Sequence, residues 1–333
     1  MVVNITSQKY SFLINNIGSL LIEGRKKAEN QINNILINTY WNIGKTIIEF
    51  EQNGKQKAKY GSNLLKSLSN DLQNKYGKGL SQSNVYLMRE FYLQYPNFQT
   101  VSGKLSWSHY TLLLSIEKKI EKSFYEKQCI LERWSFRELR RQVDSNLFNR
   151  LITSKNKAEI ITLSKKGQII EKPEDIIKDP YILEFLKIPE NTKYTETELE
   201  ERIINQISYF LKELGQGFTF YARQYRISFE DKHYYVDLVF YNKLMKCYFL
   251  IDLKTKSVTP QDVGQMNFYI NYFKNEESKE DDNPPIGLIL VARKNKTVVR
   301  YALGGITNRL FISRYKLITD KLENKLTKYL IKE

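Results

Sequence analysis

The sequence predicts an α+β protein of two domains, an N-terminal all-α domain of helix-turn-helix type and a C-terminal α/β domain. The chain has 333 residues, and at about 150 residues per domain this length suggests two domains. Apolar residues recur at steps of three and four from about residue 30 to 150, whereas strand-like aromatic runs begin only after residue 217. We therefore predict a helical domain at 1–155, a linker at 156–179 and the α/β domain at 180–333.

The charge of the chain indicates a polyanionic partner. Lys and Arg number 52 against 37 Asp and Glu, which gives a formal net charge of +15. With 41% hydrophobic and 27% charged residues, the composition excludes a disordered or low-complexity chain. Two cysteines and two histidines are too few for the usual zinc site without added carboxylates. No apolar run reaches the roughly 18–20 residues that span a bilayer, so we expect no membrane association.

Two pairs of helices with short connections are predicted in the first domain. Residues 62–76 have helical spacing, end in a Gly-Lys-Gly turn and lead into a second helix that begins at Ser81. A comparable pair lies at 117–151 and is joined at Ser135, which forms a capping box with Glu138. Helix, short turn and helix is the order typical of a DNA-binding helix-turn-helix.

Basic side chains on these helices are candidate nucleic-acid contacts, because neutralising phosphates supplies most of the nonspecific affinity for nucleic acid. The alternative interpretation of the same charges is a solvated helix face that binds nothing. The candidates are Arg89, Arg137, Arg140 and Arg141.

The order of elements predicted in the second domain is α-β-β-β-α-β. Its first helix begins at Thr195, whose capping box is closed by Glu198, and ends at Gly215. Three strand-like runs separated by short polar turns then predict an antiparallel meander. The strands are predicted at 218–229, 234–241, 246–254 and 286–293, with a second helix from Thr259 and a final amphipathic helix over 322–330.

Acidic residues converge on the middle of the meander. Both plausible registers of the second and third strands place Asp237 and Asp252 on the same side, and Lys254 follows on the same face. Glu200 borders the buried side of the first helix, where a carboxylate needs a partner. Two carboxylates on one face repel each other unless a proton or a divalent cation joins them, and their hard oxygen atoms suit Mg²⁺ or Mn²⁺. The set therefore has the parts for metal-assisted hydrolysis of a phosphodiester.

Asp237, Asp252 and Lys254 on this order of elements resemble the PD-(D/E)XK nuclease superfamily. The sequence is similar to the YhcG-type family of that superfamily across most of the chain. The similarity is carried by WNIGKTIIEFEQNGKQKAKYG, GKGLSQSNVYLMREFY, LSWSHYTLLL, RWSFRELRRQ, ELGQGFTFYARQYRI, YFLIDLKTK and GQMNFYI. The resemblance implies a restriction-endonuclease-like αβββαβ domain preceded by a helical domain thought to bind DNA.

The resemblance also implies a role for each residue that matches the family pattern. Asp237 and Asp252 would bind Mg²⁺ or Mn²⁺ together with the carbonyl of Leu253. Lys254 matches the catalytic lysine, which would orient or deprotonate the attacking water. Glu200 matches the glutamate of the first helix and would position the water shell of the metal.

Three further residues complete the candidate site. Gln265 matches a helix position that often faces the site in this family, with a hydrogen bond on the helix surface as the alternative. Arg223 and Gln224, on the strand that leads into the site, are candidates to contact backbone phosphates. The family usually has Glu where this chain has Asp252, which is shorter by one methylene, so the metal geometry or metal choice is expected to differ.

The resulting hypothesis is a metal-dependent nuclease that hydrolyses phosphodiester bonds in DNA, with DNA binding supplied by the N-terminal domain. The alternative is a catalytically inactive or partner-dependent DNA-binding protein on a nuclease scaffold. RNA stays open as a substrate, because the metal chemistry needs only the phosphodiester. We further expect a cytoplasmic protein that associates with the nucleoid when bound to DNA, and a homodimer would suit an enzyme that cuts both strands.

Overall fold

The computed structural model describes residues 7–53, 61–97, 103–152, 155–189, 192–229 and 231–317. The chain divides into two compact units, Met1–Phe136 and Arg137–Glu333. The amphipathic helix predicted over 322–330 lies outside the described residues. Among the helices that the structure describes, none is both long and apolar enough to cross a membrane.

The N-terminal unit is helical, as predicted. The predicted turn between its second and third helices contains Gly77 and Gly79, which have φ angles of 88° and 103° and thus a conformation that glycine adopts without strain. Ser81 caps the following helix, because its side chain accepts a hydrogen bond from the backbone N–H of Asn84. The helices are α1 (Ser7–Asn53), α2 (Gly61–Tyr76), α3 (Gln82–Gln94), α4 (Trp107–Leu114) and α5 (Lys119–Glu132).

The core of this unit forms where α3 packs against α1. Val85, Met88 and Phe91 of α3 are fully buried. A Cβ atom at Gly44 of α1 would lie only 2.0 Å from the carbonyl oxygen of Met88, so the two helices need glycine at their contact. The helix pair α2 and α3 is therefore held in place by a long helix that precedes it.

Three helices lie where the C-terminal unit begins. They are α6 (Phe136–Asp144), α7 (Leu147–Ile152) and α8 (Lys157–Lys166). The helix expected to continue to residue 151 breaks at Asn146, which has a φ angle of 57°. The segment predicted as a linker contains α8, because Asn156 accepts hydrogen bonds from the backbone of Ala158 and Glu159 and so caps a helix that the apolar spacing did not indicate. The predicted domain limits themselves stay a prediction.

A six-stranded sheet forms the centre of the C-terminal unit, in the order β1-β6-β5-β4-β3-β2. The predicted meander is confirmed as antiparallel β2, β3 and β4, and β5 joins β4 in parallel. The first predicted helix is divided at Gln206 into two shorter helices. The elements are β1 (Tyr181–Ile182), α9 (Glu196–Asn205), α10 (Ile207–Leu214), β2 (Phe218–Phe229), β3 (Lys232–Asn242), β4 (Cys247–Ser257), α11 (Pro260–Tyr272), β5 (Ile286–Arg293), α12 (Lys296–Ala302) and β6 (Arg309–Lys316).

Two apolar clusters cover the opposite faces of this sheet. One contains residues of α9 and α10, such as Leu199 and Phe210, and the other contains residues of α11, such as Met266 and Tyr269. Strand β5 contributes to both clusters, which explains its continuous apolar sequence. The strands β1 and β6 were not predicted, because β1 has two residues and β6 mixes charged and apolar residues.

The strands β3 and β4 diverge in the middle of the sheet. Their pairing runs from Asn242 and Cys247 to Leu238 and Ile251. Beyond that point β3 continues beside β2, and β4 continues beside β5. We call this point of divergence the fork. It separates two strands that would otherwise be neighbours, and so it leaves room for side chains that do not pack in the core.

Candidate active site

The two predicted acidic residues lie together at the fork. Asp237 directly precedes Leu238 and Asp252 directly follows Ile251, and Leu238 and Ile251 are the last residues paired between β3 and β4. Asp252 is 2% exposed, and the Oδ2 atom of Asp237 accepts a hydrogen bond of 2.8 Å from the backbone N–H of Leu253. The sheet therefore brings the carboxyl groups together without help from a flexible loop.

Burial and mutual repulsion make this pair hard to ionise. Burial and the negative charge of Asp252 raise the pKa of Asp237 to about 7, although the N–H of Leu253 acts in the opposite direction. Burial also raises the pKa of Asp252, against the attraction of Lys254. A proton or a cation shared by the two carboxyl groups would stabilise them.

Lys254 lies between two carboxylates. Its Nζ atom is 2.8 Å from Oδ2 of Asp252, an ion pair without the angles of a hydrogen bond, and 3.6 Å from Oδ1 of Asp262. Burial lowers the pKa of Lys254, but the two carboxylates outweigh burial and the pKa is raised. Lys254 is therefore held as a cation, which suits it to donate hydrogen bonds and to stabilise negative charge.

Glu200 is connected to the acid pair through Gln224. Glu200 is 3% exposed and forms a salt bridge with Arg223. The side-chain amide of Gln224 donates to Oε2 of Glu200 at 2.5 Å and to Oδ1 of Asp237 at 3.1 Å. The predicted residues of α9, β2 and β3 thus form one connected set.

Gln224 adopts an unusual backbone conformation for a strand residue. Its φ angle is 46°, in the left-handed region, where a residue with a side chain costs about 1–3 kcal/mol. The irregularity breaks the alternation of side chains along β2, and this is why the consecutive residues Arg223 and Gln224 both reach Glu200. Such strain commonly marks functional sites.

Gln265 is connected to the neighbourhood of the acid pair through the hydroxyl group of Tyr269. Its side-chain amide donates to the hydroxyl of Tyr269, which in turn donates to the carbonyl of Tyr235 at 2.8 Å. Burial raises the pKa of Tyr269, and the charges of Asp252 and Asp237 add to this effect, which places the phenol near the acid pair. Gln265 therefore supports the site from α11 by orienting Tyr269.

Sequence reasoning missed Asp262 and Tyr269 as parts of the site. Asp262 closes the capping box of α11, where its Oδ2 atom accepts from the N–H of Thr259, and its Oδ1 atom faces Lys254. Asp262, Gln265 and Tyr269 have spacings of three and four residues and so share one helix face. That spacing was the signal that could have identified them.

The candidate phosphate-binding arginines have different surroundings. Arg89 forms salt bridges with Glu51 and Glu90, each at 2.9 Å. Arg137 and Arg140 are exposed on α6.

Arg141 has partners that the sequence interpretation did not include. It belongs to the C-terminal unit and pairs with Glu184 at 2.6 Å and with Glu213 at 3.1 Å, so its contact with phosphate stays a prediction. A run of basic helix residues does not reveal which of them meets a carboxylate from a distant segment. The run alone therefore could not separate Arg141 from its exposed neighbours.

The oxygen atoms at the fork fit a divalent cation. In the described part of the chain, no three His, Cys, Asp or Glu side chains converge as a ready metal site. Mg²⁺, however, is usually bound by only one or two carboxylates and keeps several waters. Asp237 and Asp252 provide these two carboxylates, and the buried Oδ2 atom of Asp252 forms an ion pair with Lys254 but accepts no hydrogen bond from the described residues. The donor set therefore suits a hard cation better than zinc.

Comparisons with known proteins identify the family. A family model described as the YhcG PDDEXK nuclease domain matches residues 174–331, and one described as the DUF1016 N-terminal domain matches residues 16–150. The protein named "Putative nuclease YhcG" from Escherichia coli (strain K12) is 34% identical over 344 residues, which cover 94% of this chain and 91% of that protein. The chain belongs to the YhcG nuclease family. The predicted family and fold class are thus confirmed.

Solved structures are similar to this chain only in part. The "crystal structure of a repair endonuclease from Pyrococcus abyssi" has a TM-score of 0.28 and 16% identity, and covers 39% of this chain and 50% of its own. The "Structure of EndoMS-dsDNA2 complex" has a TM-score of 0.28 and 14% identity, and covers 39% of this chain and 48% of its own. The matches span about half of these solved chains, and TM-scores of this size carry no argument about fold or substrate.

Membership in the YhcG family bears on the chemistry of the fork. PDDEXK nucleases typically use divalent metal ions, and the family model spans all of the residues at the fork. Asp252 and Lys254 have the D-x-K spacing of the motif, and Asp237 lies beside Asp252 at the fork. The YhcG membership therefore supports a nuclease, and the identity of its metal and substrate belongs to the proposal that follows.

Proposed function

We propose that this protein is a divalent-metal-dependent nuclease that hydrolyses phosphodiester bonds in DNA. The observation that carries the proposal is the acid pair at the fork, the partly exposed Asp237 and the buried Asp252, beside the cation of Lys254. Two carboxylates whose pKa values are raised by their surroundings are unfavourable in a fold unless they have a function. Binding a divalent cation would relieve their repulsion.

The residues at the fork have separate roles in the proposed reaction. Asp237, Asp252 and the carbonyl of Leu253 would hold Mg²⁺ or Mn²⁺. The ion supplies Lewis acidity and lowers the pKa of a bound water. Lys254, kept protonated by its two carboxylate neighbours, donates a hydrogen bond that orients the attacking water or stabilises the charge that develops on the phosphate.

Glu200 and Gln224 act through Asp237. The amide of Gln224 can donate to both carboxylates at once, and it thereby fixes the orientation of the Asp237 carboxyl group. Arg223 neutralises the buried charge of Glu200. These residues position a metal ligand, and their support is the kind that neighbours of metal ligands commonly provide.

DNA as the substrate is supported by charge and by the helical N-terminal unit. The net charge of +15 favours a polyanion, and α2 and α3 have the helix, turn and helix order with exposed Lys75 and Lys78 at the turn. We propose that this unit supplies DNA binding. A homodimer and a cytoplasmic, nucleoid-associated location are further parts of the proposal, which sedimentation and cell fractionation would test.

A cleavage assay tests the proposal. Wild type, Asp252→Asn and the control Asp281→Asn would be incubated with plasmid, linear duplex, single-stranded DNA and RNA, with Mg²⁺, Mn²⁺ or EDTA. Asp281 is an exposed carboxylate in the loop before β5, so its substitution removes the same charge away from the fork. Metal-dependent cleavage of DNA that is lost only in Asp252→Asn supports the proposal. Salt-sensitive binding without cleavage under any condition favours the alternative, a DNA-binding protein on a nuclease scaffold.

A further inference from the structure

The hairpin of β2 and β3 continues past the fork and has one face whose side chains are exposed. Ile227, Tyr234 and Val236 pack in the apolar cluster on the α11 side of the sheet. Their alternating neighbours point to the opposite side of the hairpin. These neighbours are exposed and form what we call the hairpin face: Arg226, Ser228, His233 and Tyr235.

The residues of the hairpin face form two directly opposed pairs. Arg226 lies across from Tyr235, and Ser228 lies across from His233. The Nη2 atom of Arg226 is 2.8 Å from Nε2 of His233, and Nδ1 of His233 is 3.0 Å from Oγ of Ser228. The side chains of the face are therefore ordered relative to one another.

Arg226 differs from the other arginines near the site in its partners. Arg223 and Arg141 are neutralised by glutamates. Within the described residues, no carboxylate forms a salt bridge with Arg226, whose hydrogen-bond partner is His233. Arg226 is also exposed, so its guanidinium can reach an anion from outside the chain. A guanidinium with free donors is well suited to phosphate oxygens.

The hairpin face begins next to the acid pair. Tyr235 precedes Asp237 by two residues, which is about 7 Å along a strand that rises about 3.3 Å per residue. The carbonyl of Tyr235 is fixed by the hydroxyl of Tyr269, which lies near the acid pair. A DNA strand advances about 3.4 Å per nucleotide along its axis, so the face extends over the nucleotides that flank the scissile phosphate.

We propose that the hairpin face binds the DNA strand beside the scissile phosphate, with Arg226 on a backbone phosphate and Tyr235 stacked on a base. Tyr235 is 44% exposed, so its ring can accept a base on one side. A paired base inside a duplex has no free ring face, and stacking on Tyr235 therefore requires an unpaired nucleotide. The preferred substrate is then single-stranded or locally opened DNA. This inference rests on the proposed nuclease function.

Substitutions on the two faces of the same hairpin test the inference. On the hairpin face, Arg226→Gln removes the charge and Tyr235→Leu removes the aromatic ring. On the opposite face, Lys232→Gln and Phe229→Leu are matched controls, because Lys232 is exposed and Phe229 packs against Phe268 of α11. The full-length variants are compared by circular dichroism and then by fluorescence anisotropy with a single-stranded oligonucleotide and a duplex in EDTA.

The binding results separate the hairpin face from a general charge effect. We expect Arg226→Gln to weaken binding several-fold and to reduce the salt dependence by about one phosphate contact, which Arg226→Lys should restore in part. We expect Tyr235→Leu to weaken binding to the single strand about tenfold and binding to the duplex much less, with rescue by Tyr235→Phe. Equal effects of Arg226→Gln and Lys232→Gln, or equal loss of single strand and duplex in Tyr235→Leu, would overturn the inference.

Cleavage assays distinguish this inference from the proposed function. In Mg²⁺ we expect the hairpin-face variants to raise KM for the oligonucleotide more than they alter hydrolysis of bis(p-nitrophenyl) phosphate, which has no flanking nucleotides. Failure of the wild type to hydrolyse either substrate would contradict the nuclease proposal, and the hairpin face would then be judged by the binding data alone. A wild type that does not bind DNA at all would overturn both.

Discussion

The C-terminal unit buries carboxylates at two places and treats them in opposite ways. Glu213, in α10, is fully buried, and its carboxylate accepts from Arg150 at 2.6 Å, Arg141 at 3.1 Å and the N–H of Ile182 at 3.0 Å. Burial raises the pKa of Glu213, but Arg150, Lys178 and Arg141 outweigh it and lower the pKa to about 2. At the fork, two carboxyl groups have one lysine, and the pKa of Asp237 is raised to about 7.

This difference distinguishes a buried charge that stabilises the fold from a buried charge that is suited to a function. Cations surround Glu213 and also bond to its backbone, since Lys178 donates to its carbonyl. This cluster connects α6, α7, α10 and β1 and is complete without a ligand. The acid pair is incomplete, because it has more negative charge than its neighbours neutralise. A buried charge that its fold leaves undercompensated is a sign of a site that binds something.

The largest expected effect is on the completed cluster. Glu213→Gln should lower the free energy of unfolding by about 3–5 kcal/mol, because the buried Arg150 would lose the carboxylate that it pairs with and Arg141 would lose one of its carboxylate partners. Urea denaturation measures this effect. Glu159→Gln removes a carboxylate from the exposed pair with Lys172 and should leave the midpoint unchanged. Equal losses of stability in Glu213→Gln and Glu159→Gln would contradict the distinction between the buried cluster around Glu213 and an exposed ion pair.

The reverse result is expected at the fork. Asp237→Asn should raise the free energy of unfolding at pH 8 by about 1–3 kcal/mol, because it removes a buried charge that repels Asp252. The same variant should lose metal-dependent cleavage. Denaturation and cleavage measured on one preparation test both parts, and a variant less stable than the wild type at pH 8 would refute the argument.

The pH dependence of stability should differ between the acid pair at the fork and the cluster around Glu213. The raised pKa of Asp237 means that the folded state holds a proton that the unfolded state has released, so this contribution to stability is lost as pH rises from about 4 through about 7. The lowered pKa of Glu213 acts at the other end, where its contribution is lost as pH falls from about 4.5 toward 2. Without metal, the gap between Asp237→Asn and wild type should therefore widen from pH 5 to pH 8 in urea denaturation.

Divalent cations should compensate the excess negative charge of the acid pair and so stabilise the folded state. At pH 8, Mg²⁺ or Mn²⁺ should raise the Tm of the wild type in a concentration-dependent way, because an ion that binds only the folded state stabilises it. Asp237→Asn should show a much smaller shift, and Glu159→Gln should behave as the wild type. The same shift in all three proteins would indicate general ionic effects and no site at the fork.

The smallest expected effect concerns support from α11. Gln265→Leu and Tyr269→Phe should each reduce cleavage about tenfold or less, because they act on the site through one hydrogen-bonded unit. The double variant should lose little more than either single variant, since the two residues form one chain of contacts. Additive losses in kcat would show that Gln265 acts on the site independently of Tyr269.

Local patterns made much of the catalytic domain predictable. The capping boxes at Thr195 and Thr259 start helices where predicted, and the alternation along β3 and β4 placed Asp237 and Asp252 on one side. Both features depend on residues a few positions apart or on a short hairpin. The break at Gln206 and the strand β6 were not visible, because packing rather than spacing decides them.

The sequence by itself determined the α-β-β-β-α-β order of the central elements, the family and the candidate set Asp237, Asp252 and Lys254, because helix and strand periodicities and capping are local properties of the chain. Only the tertiary structure decided which partner each charged residue meets. It joined Gln224 to both Glu200 and Asp237, and it gave Arg141 to carboxylates from distant segments while Arg226 meets His233. Such pairings depend on segments that are far apart in the chain and become neighbours only when the core closes.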